Sequence, residues 1–218
     1  MRIFAAIGVI AALLVPTLAI GTPDVPWTGV TTSVIPGDDG DFQAGVPFPT
    51  PRFTDNGDGT VRDNLTGLIW LRNANCSNGV ILWDEALTWV SGVSDGDCGL
   101  SDSSVNGDWR LPTIREIVSL LNFNYNDPAL SDAQGSGQGS EGDPFINVQG
   151  ISGFYWSGTN AMGTADNGTH AHTANIARAI TNIYDKDNPE DPDSPGVPVT
   201  TFAWPVKDCS SIGGGGCN

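Results

Sequence analysis

Along most of the chain, apolar residues come in short runs broken by turn-forming ones, and only twice do they take a helical spacing. Phe53-Thr54-Asp55, the turn Asn56-Gly57-Asp58-Gly59 and Thr60-Val61-Arg62-Asp63 read as a hairpin, since Asn-Gly and Asp-Gly steps supply the positive φ of tight turns. A second turn over Asn64–Gly67 leads into Leu68-Ile69-Trp70-Leu71, an apolar run expected as a buried strand. Trp83, Ala86, Leu87 and Val90 fall at i, i+3, i+4 and i+7, which predicts a helix over 83–93 with one apolar face. A second helix is predicted over 113–122: Thr113 as N-cap, Glu116 as its capping-box partner, and Ile114, Ile117, Val118 and Leu121 as the stripe. Pro112 blocks helix upstream. Short strands are expected at Phe145–Val148, Phe154–Ser157 and Thr200–Val206, while 170–180 stays ambiguous. Segments 92–108, 131–143 and 184–198 read as long polar loops.

Upstream the pattern changes. Arg2 followed by an apolar run to Ile20 and small residues reads as a signal peptide, 1–21. The run is just long enough to span a bilayer if it were retained. Residues 22–51, rich in Pro and Gly with isolated Trp27, Val30, Val34, Ile35 and Phe42, read as an extended arm that lies on its own domain or on a neighbour's, or equally by composition as a flexible linker. The main domain is placed at 52–208 and a Gly-rich tail at 209–218.

Four cysteines behind an exported leader predict two disulfides; chain proximity favours Cys76 with Cys98 and Cys209 with Cys217. The first would tie loop 92–108 to the end of a strand, worth about 3 kcal/mol in the chain-entropy account. A formal net charge of −16 argues against nucleic acid and anionic lipid as partners. Membrane association is expected only if the leader stays.

The same acidity raises calcium as the candidate cofactor. One set is Asp55, Asn56, Asp58 and Asp63 around the hairpin turn; the other is Asp185, Asp187, Glu190, Asp191 and Asp193 in the late loop. The hairpin turn by itself accounts for the first set, and a solvated acidic loop for the second. His170 and His172 alternate onto one strand face without an evident third ligand. Trp27, Trp83 and Trp89 could offer stacking surface for sugars. No nucleophile elbow, phosphate loop or paired His–acid set appears, so no catalysis is expected.

Several words recur in a fixed order: Phe53 to Val61, Asp63 to Trp70, Asp108-Trp109-Arg110-Leu111-Pro112-Thr113 with Glu116, Tyr155-Trp156-Ser157, and Trp204-Pro205-Val206. Over 52–207 the chain thereby resembles the Lcl C-terminal domain family. That resemblance implies an α+β, C-type-lectin-like fold: two helices with short, mostly antiparallel strands and long loops. The Arg110 to Thr113 word also resembles formylglycine-generating-enzyme-type domains. Within it Trp70, Trp109, Arg110, Thr113, Glu116, Trp156 and Trp204 are expected as structural residues. It further implies adhesion, with a surface glycan or protein as partner. Binding of sulfated polysaccharide, known in the family, needs a basic surface that this chain lacks. Two functions result: a secreted recognition module, or a structural subunit that uses the arm to join copies of itself into a fibre or coat.

Overall fold

The computed structural model describes residues 25–163, 168–191 and 194–209. The expected leader falls outside these. Among the described residues, no helix is long and apolar enough to cross a membrane.

The chain is α+β. A four-residue helix α1 (Asp39–Phe42) lies in the arm, followed by β1 (Phe53–Asp55), β2 (Thr60–Asp63) and β3 (Ile69–Leu71). Helix α2 (Trp83–Gly92) and helix α3 (Ile114–Leu120) come next, then β4 (Gly153–Asn160), β5 (His170–Asn175) and β6 (Ile180–Asp185). The chain closes with β7 (Glu190–Asp191), β8 (Ser194–Pro198), β9 (Thr200–Phe202) and β10 (Val206–Lys207). One sheet runs β1-β2-β3-β10 and is antiparallel throughout; a second runs β6-β5-β4-β9 with β4 and β9 parallel; β7 and β8 form a separate pair.

The hairpin forms in the register Phe53↔Asp63 and Asp55↔Val61. Its Gly59 has φ of +87°, and a Cβ there would lie 2.5 Å from the Gly99 carbonyl oxygen. Only glycine lets the turn approach the loop that carries Cys98. That loop is fixed by the Cys76–Cys98 disulfide, with Cα atoms 5.6 Å apart. The other expected pairing involves Cys217, which lies outside the described residues.

Both predicted helices form, and α3 starts as read: Thr113 Oγ1 accepts from the Glu116 N–H, and Glu116 accepts from the Thr113 N–H at 2.7 Å. On α2, Trp83, Ala86 and Val90 are buried, but Leu87 is 37% exposed, so the apolar face is narrower than its spacing suggests.

Three readings need correction. Phe145–Val148 is not a strand; Ile146 makes only an isolated bridge to Asn73. Thr200–Val206 is not one strand but two, in different sheets, because Ala203-Trp204-Pro205 carries the chain across the core. Segment 184–198 is not wholly loop, since β7 and β8 pair within it.

Trp204, at that crossing, joins the two sheets. Its ring centroid lies 5.4 Å from that of Trp70, 4.9 Å from Phe145 and 5.2 Å from Tyr155, in edge-on or tilted contacts typical of packed aromatics. Trp70, Trp109, Trp156 and Trp204 are all buried. The Trp204, Trp156 and Trp109 indole N–H groups donate to Leu71 O, Ile81 O and Ser104 Oγ respectively.

Two buried ion pairs sit beside this core. Arg52 pairs with Asp63, both side chains without solvent exposure, and donates to Ser119 O at the end of α3. Lys207 pairs with Asp102 at 2.5 Å and lies 4.7 Å from the Trp109 ring centroid.

The arm folds back on its own domain. Trp27 N–H donates to Val46 O, Val46 N–H to Val25 O, and Phe123 N–H to Thr28 O. Phe48 packs edge-on against Trp27 and lies 5.1 Å from the Arg52 guanidinium.

Candidate functional site

The acidic sets read from the sequence do not converge. Asp63 is taken by Arg52 and by the Leu65 and Thr66 N–H groups. Asp55 pairs with Arg72 at 3.0 Å and accepts from Gly57 N–H. Asn56 donates to Thr60 Oγ1, and Asp58 accepts from the Thr60 N–H and hydroxyl. These are turn contacts, which is why the spacing imitates a cation loop. In the late loop, Asp185 accepts from the Asp187 and Asn188 N–H groups, and Glu190 from Asn188 and Gly196. Asp187 is exposed; the Asp191 side chain and Asp193 lie outside the described residues. Among the described residues, no group of three His, Cys, Asp or Glu is placed to hold a metal, His170 and His172 included.

The motif residues form a brace. Arg110 grips Glu116 through two 2.8 Å contacts and Asp208 through a third, while its backbone pairs with Val206. Burial pushes the Glu116 carboxyl up, but Arg110 and the Thr113 N–H outweigh this and hold it below the usual carboxylate range. Burial likewise opposes, and Lys207 with Ser104 overcomes, so Asp102 also stays low. These contacts fix the start of α3 to β10.

The open chemistry lies on α2. The segment leading into it is anchored to the second sheet, because Ile81 O accepts from both Trp156 Nε1 and Thr201 Oγ1 at 2.9 Å. Trp83 enters the core, donates to Ser157 O at 2.8 Å, and carries the Lys186 ammonium 3.8 Å from its ring centroid. Six residues on, Trp89 emerges half-buried, whereas Trp70, Trp83, Trp109, Trp156 and Trp204 are all buried. Trp27, also half-buried, belongs to the arm. No described group takes the Trp89 indole N–H.

Two open depressions share Thr88 and Trp89 as a wall. One, of about 400 Å³, runs to Asp97 and the Cys76–Cys98 disulfide. The other, of about 450 Å³, runs to Ile81, Asp84 and Glu85. The disulfide fixes the far wall of the first, and the anchored Ile81 fixes that of the second. Asp84 is exposed, Glu85 caps Leu82, and Asp97 accepts from Ser94. The surface therefore combines an aromatic face, one free N–H donor and carboxylate acceptors. It suits a hydroxyl-rich or apolar ligand and repels sulfate or carboxylate groups.

These features define a disulfide-tied α+β domain whose two ends meet in one sheet. Residues 59–190 match the Lcl C-terminal domain family, and the chain belongs to that family. No curated protein and no solved structure matches the chain.

Proposed function

We propose that this chain is a non-catalytic recognition module working outside the cytoplasm, with a C-type-lectin-like domain that binds an uncharged surface glycan across Trp89. The observation that carries this reading is that Trp89 is only half-buried and walls two open depressions, while every other tryptophan of the domain is buried. An aromatic face beside hydrogen-bond acceptors gives a sugar both its apolar and its hydroxyl contacts. The lectin-like reading is supported by two helices, short strands and the pairing of β10 beside β3, which closes the domain on itself.

The test is titration with neutral, amino and sulfated oligosaccharides, read by tryptophan fluorescence and calorimetry. A neutral sugar should bind, and Trp89→Ala should weaken it by about tenfold or more, as aromatic anchors do. Unchanged affinity in that variant, or preference for the sulfated sugars, would overturn the reading.

A specific observation favours the structural-subunit reading as well: the arm carries apolar side chains out into solvent.

A further inference from the structure

The loop between Trp27 and Val46 is built to project. It is closed at its base by the Trp27–Val46 and Val46–Val25 backbone bonds. Inside it, Asp38 accepts from the N–H groups of Val34 at 2.7 Å, Ile35 at 3.0 Å and Asp41 at 3.1 Å. Asp41 accepts from Gly37 N–H, and Asp39 from the Thr28 hydroxyl. Gly40 is buried against Thr32 O, where a Cβ would come within 2.3 Å, so the loop closes only with glycine. Yet the side chains this frame holds outward are apolar: Val34, Ile35 and Phe42 are 91%, 65% and 72% exposed. A short loop ordered by its own carboxylates, with three large apolar groups in water, has the form of a contact surface.

The same chain carries a matching concavity. Beside the edge strand β6 lies a groove of about 330 Å³. Phe154 and Tyr184, in edge contact at 5.0 Å, are its buried floor. Ile151, Ile180 and Val197 stand on its rim, 48%, 40% and 53% exposed. Arg178 lines it too, is exposed, and meets no carboxylate among the described residues. Arg52, Arg72, Arg110 and Lys207 each sit on one. The loop tip is flanked by Asp38, Asp39 and Asp41, so the two surfaces are both apolar and carry opposite charge.

We propose that the tip Val34, Ile35 and Phe42 of one copy enters the groove at Phe154, Arg178 and Ile180 of a second copy of this chain. Tip and groove are different surfaces, so the contact is heterologous: it gives a reciprocal dimer if the geometry closes and a filament if it does not. With a net charge of −16 on each copy, the apolar insertion supplies the attraction and Arg178 fixes the orientation. This goes beyond the glycan reading, which rests on α2, and each can fail without the other.

The experiment is light scattering with negative-stain microscopy on the full chain over a concentration series at physiological salt. Wild type should show dimers or longer species. A tip variant, V34S/F42S, and a groove variant, R178E/I180E, should each be monomeric with unchanged circular dichroism. Mixed together they should form a one-to-one heterodimer, because each retains the half that the other has lost. That complementation cannot arise from misfolding. A monomeric wild type, assembly that persists in the tip variant, or a mixture that stays monomeric would each overturn the proposal.

Discussion

The sheet β1-β2-β3-β10 and the sheet β6-β5-β4-β9 have the same number of strands but handle charge and edges differently. Beside the first, charged groups are drawn inside and matched: Arg52 with Asp63, and Lys207 with Asp102. The second leaves β6 as an edge, with Ile180 in water and Arg178 without an acid among the described residues. A buried charge without its partner is costly, so the first region tolerates little change. An exposed apolar or charged residue costs little to replace, so the second region is free to carry recognition. Conformational rigidity and surface availability are thus assigned to different sheets, joined at Trp204.

The largest effect should come from breaking a pair in the first region. Asp63→Ala leaves Arg52 buried and uncompensated and should cost about 3–5 kcal/mol in denaturant unfolding. Ile180→Ser, on the second sheet, should stay within about 0.5 kcal/mol of wild type. Equal losses at the two sites would erase the contrast.

Removing the disulfide with C76S/C98S should cost about 3 kcal/mol, since 22 residues of sequence separate the two cysteines. It should also weaken any sugar held at Trp89, because the disulfide forms one wall of that depression. Retained affinity in the double variant would show that this wall needs no crosslink.

The smallest effects concern the α3 brace. Thr113→Ala should cost about 1 kcal/mol through loss of the cap. The pH dependence has a defined sign. Glu116 and Asp102 sit below their ordinary values of 4.5 and 3.8 in the folded chain, so their contribution is full above those values. It is lost as pH falls through the lower folded values. Stability should therefore decline on acidification below about 4.5, and Arg110→Met should make that decline shallower. An unchanged acid profile in Arg110→Met would show that the brace contributes nothing through ionisation.

Much of the fold was readable locally. The Asn56 to Gly59 turn, the Thr113–Glu116 cap and the α2 spacing depend on neighbours within a few residues, and each formed. What misled was of longer range. Thr200–Val206 has the composition of one strand, but the packing of Trp204 between the sheets divides it. Asp63 resembled a cation ligand because nothing nearby in sequence marks Arg52, eleven residues earlier, as its buried partner. Trp89 could be named as one stacking surface among three, but its exposure depends on what does not cover it.

Sequence alone determined the acidity, the places of α2 and α3 and the family words, and favoured Cys76 as the partner of Cys98, because these rest on composition and short spacing. Tertiary structure alone decided that the arm folds back while its tip stays out, that Lys207 meets Asp102 across 105 residues, and that Arg178 lines a groove with no acid opposite it among the described residues. The physical reason is that burial and charge pairing are properties of distant segments brought together, whereas turns, caps and amphipathic faces are written within a few residues of chain.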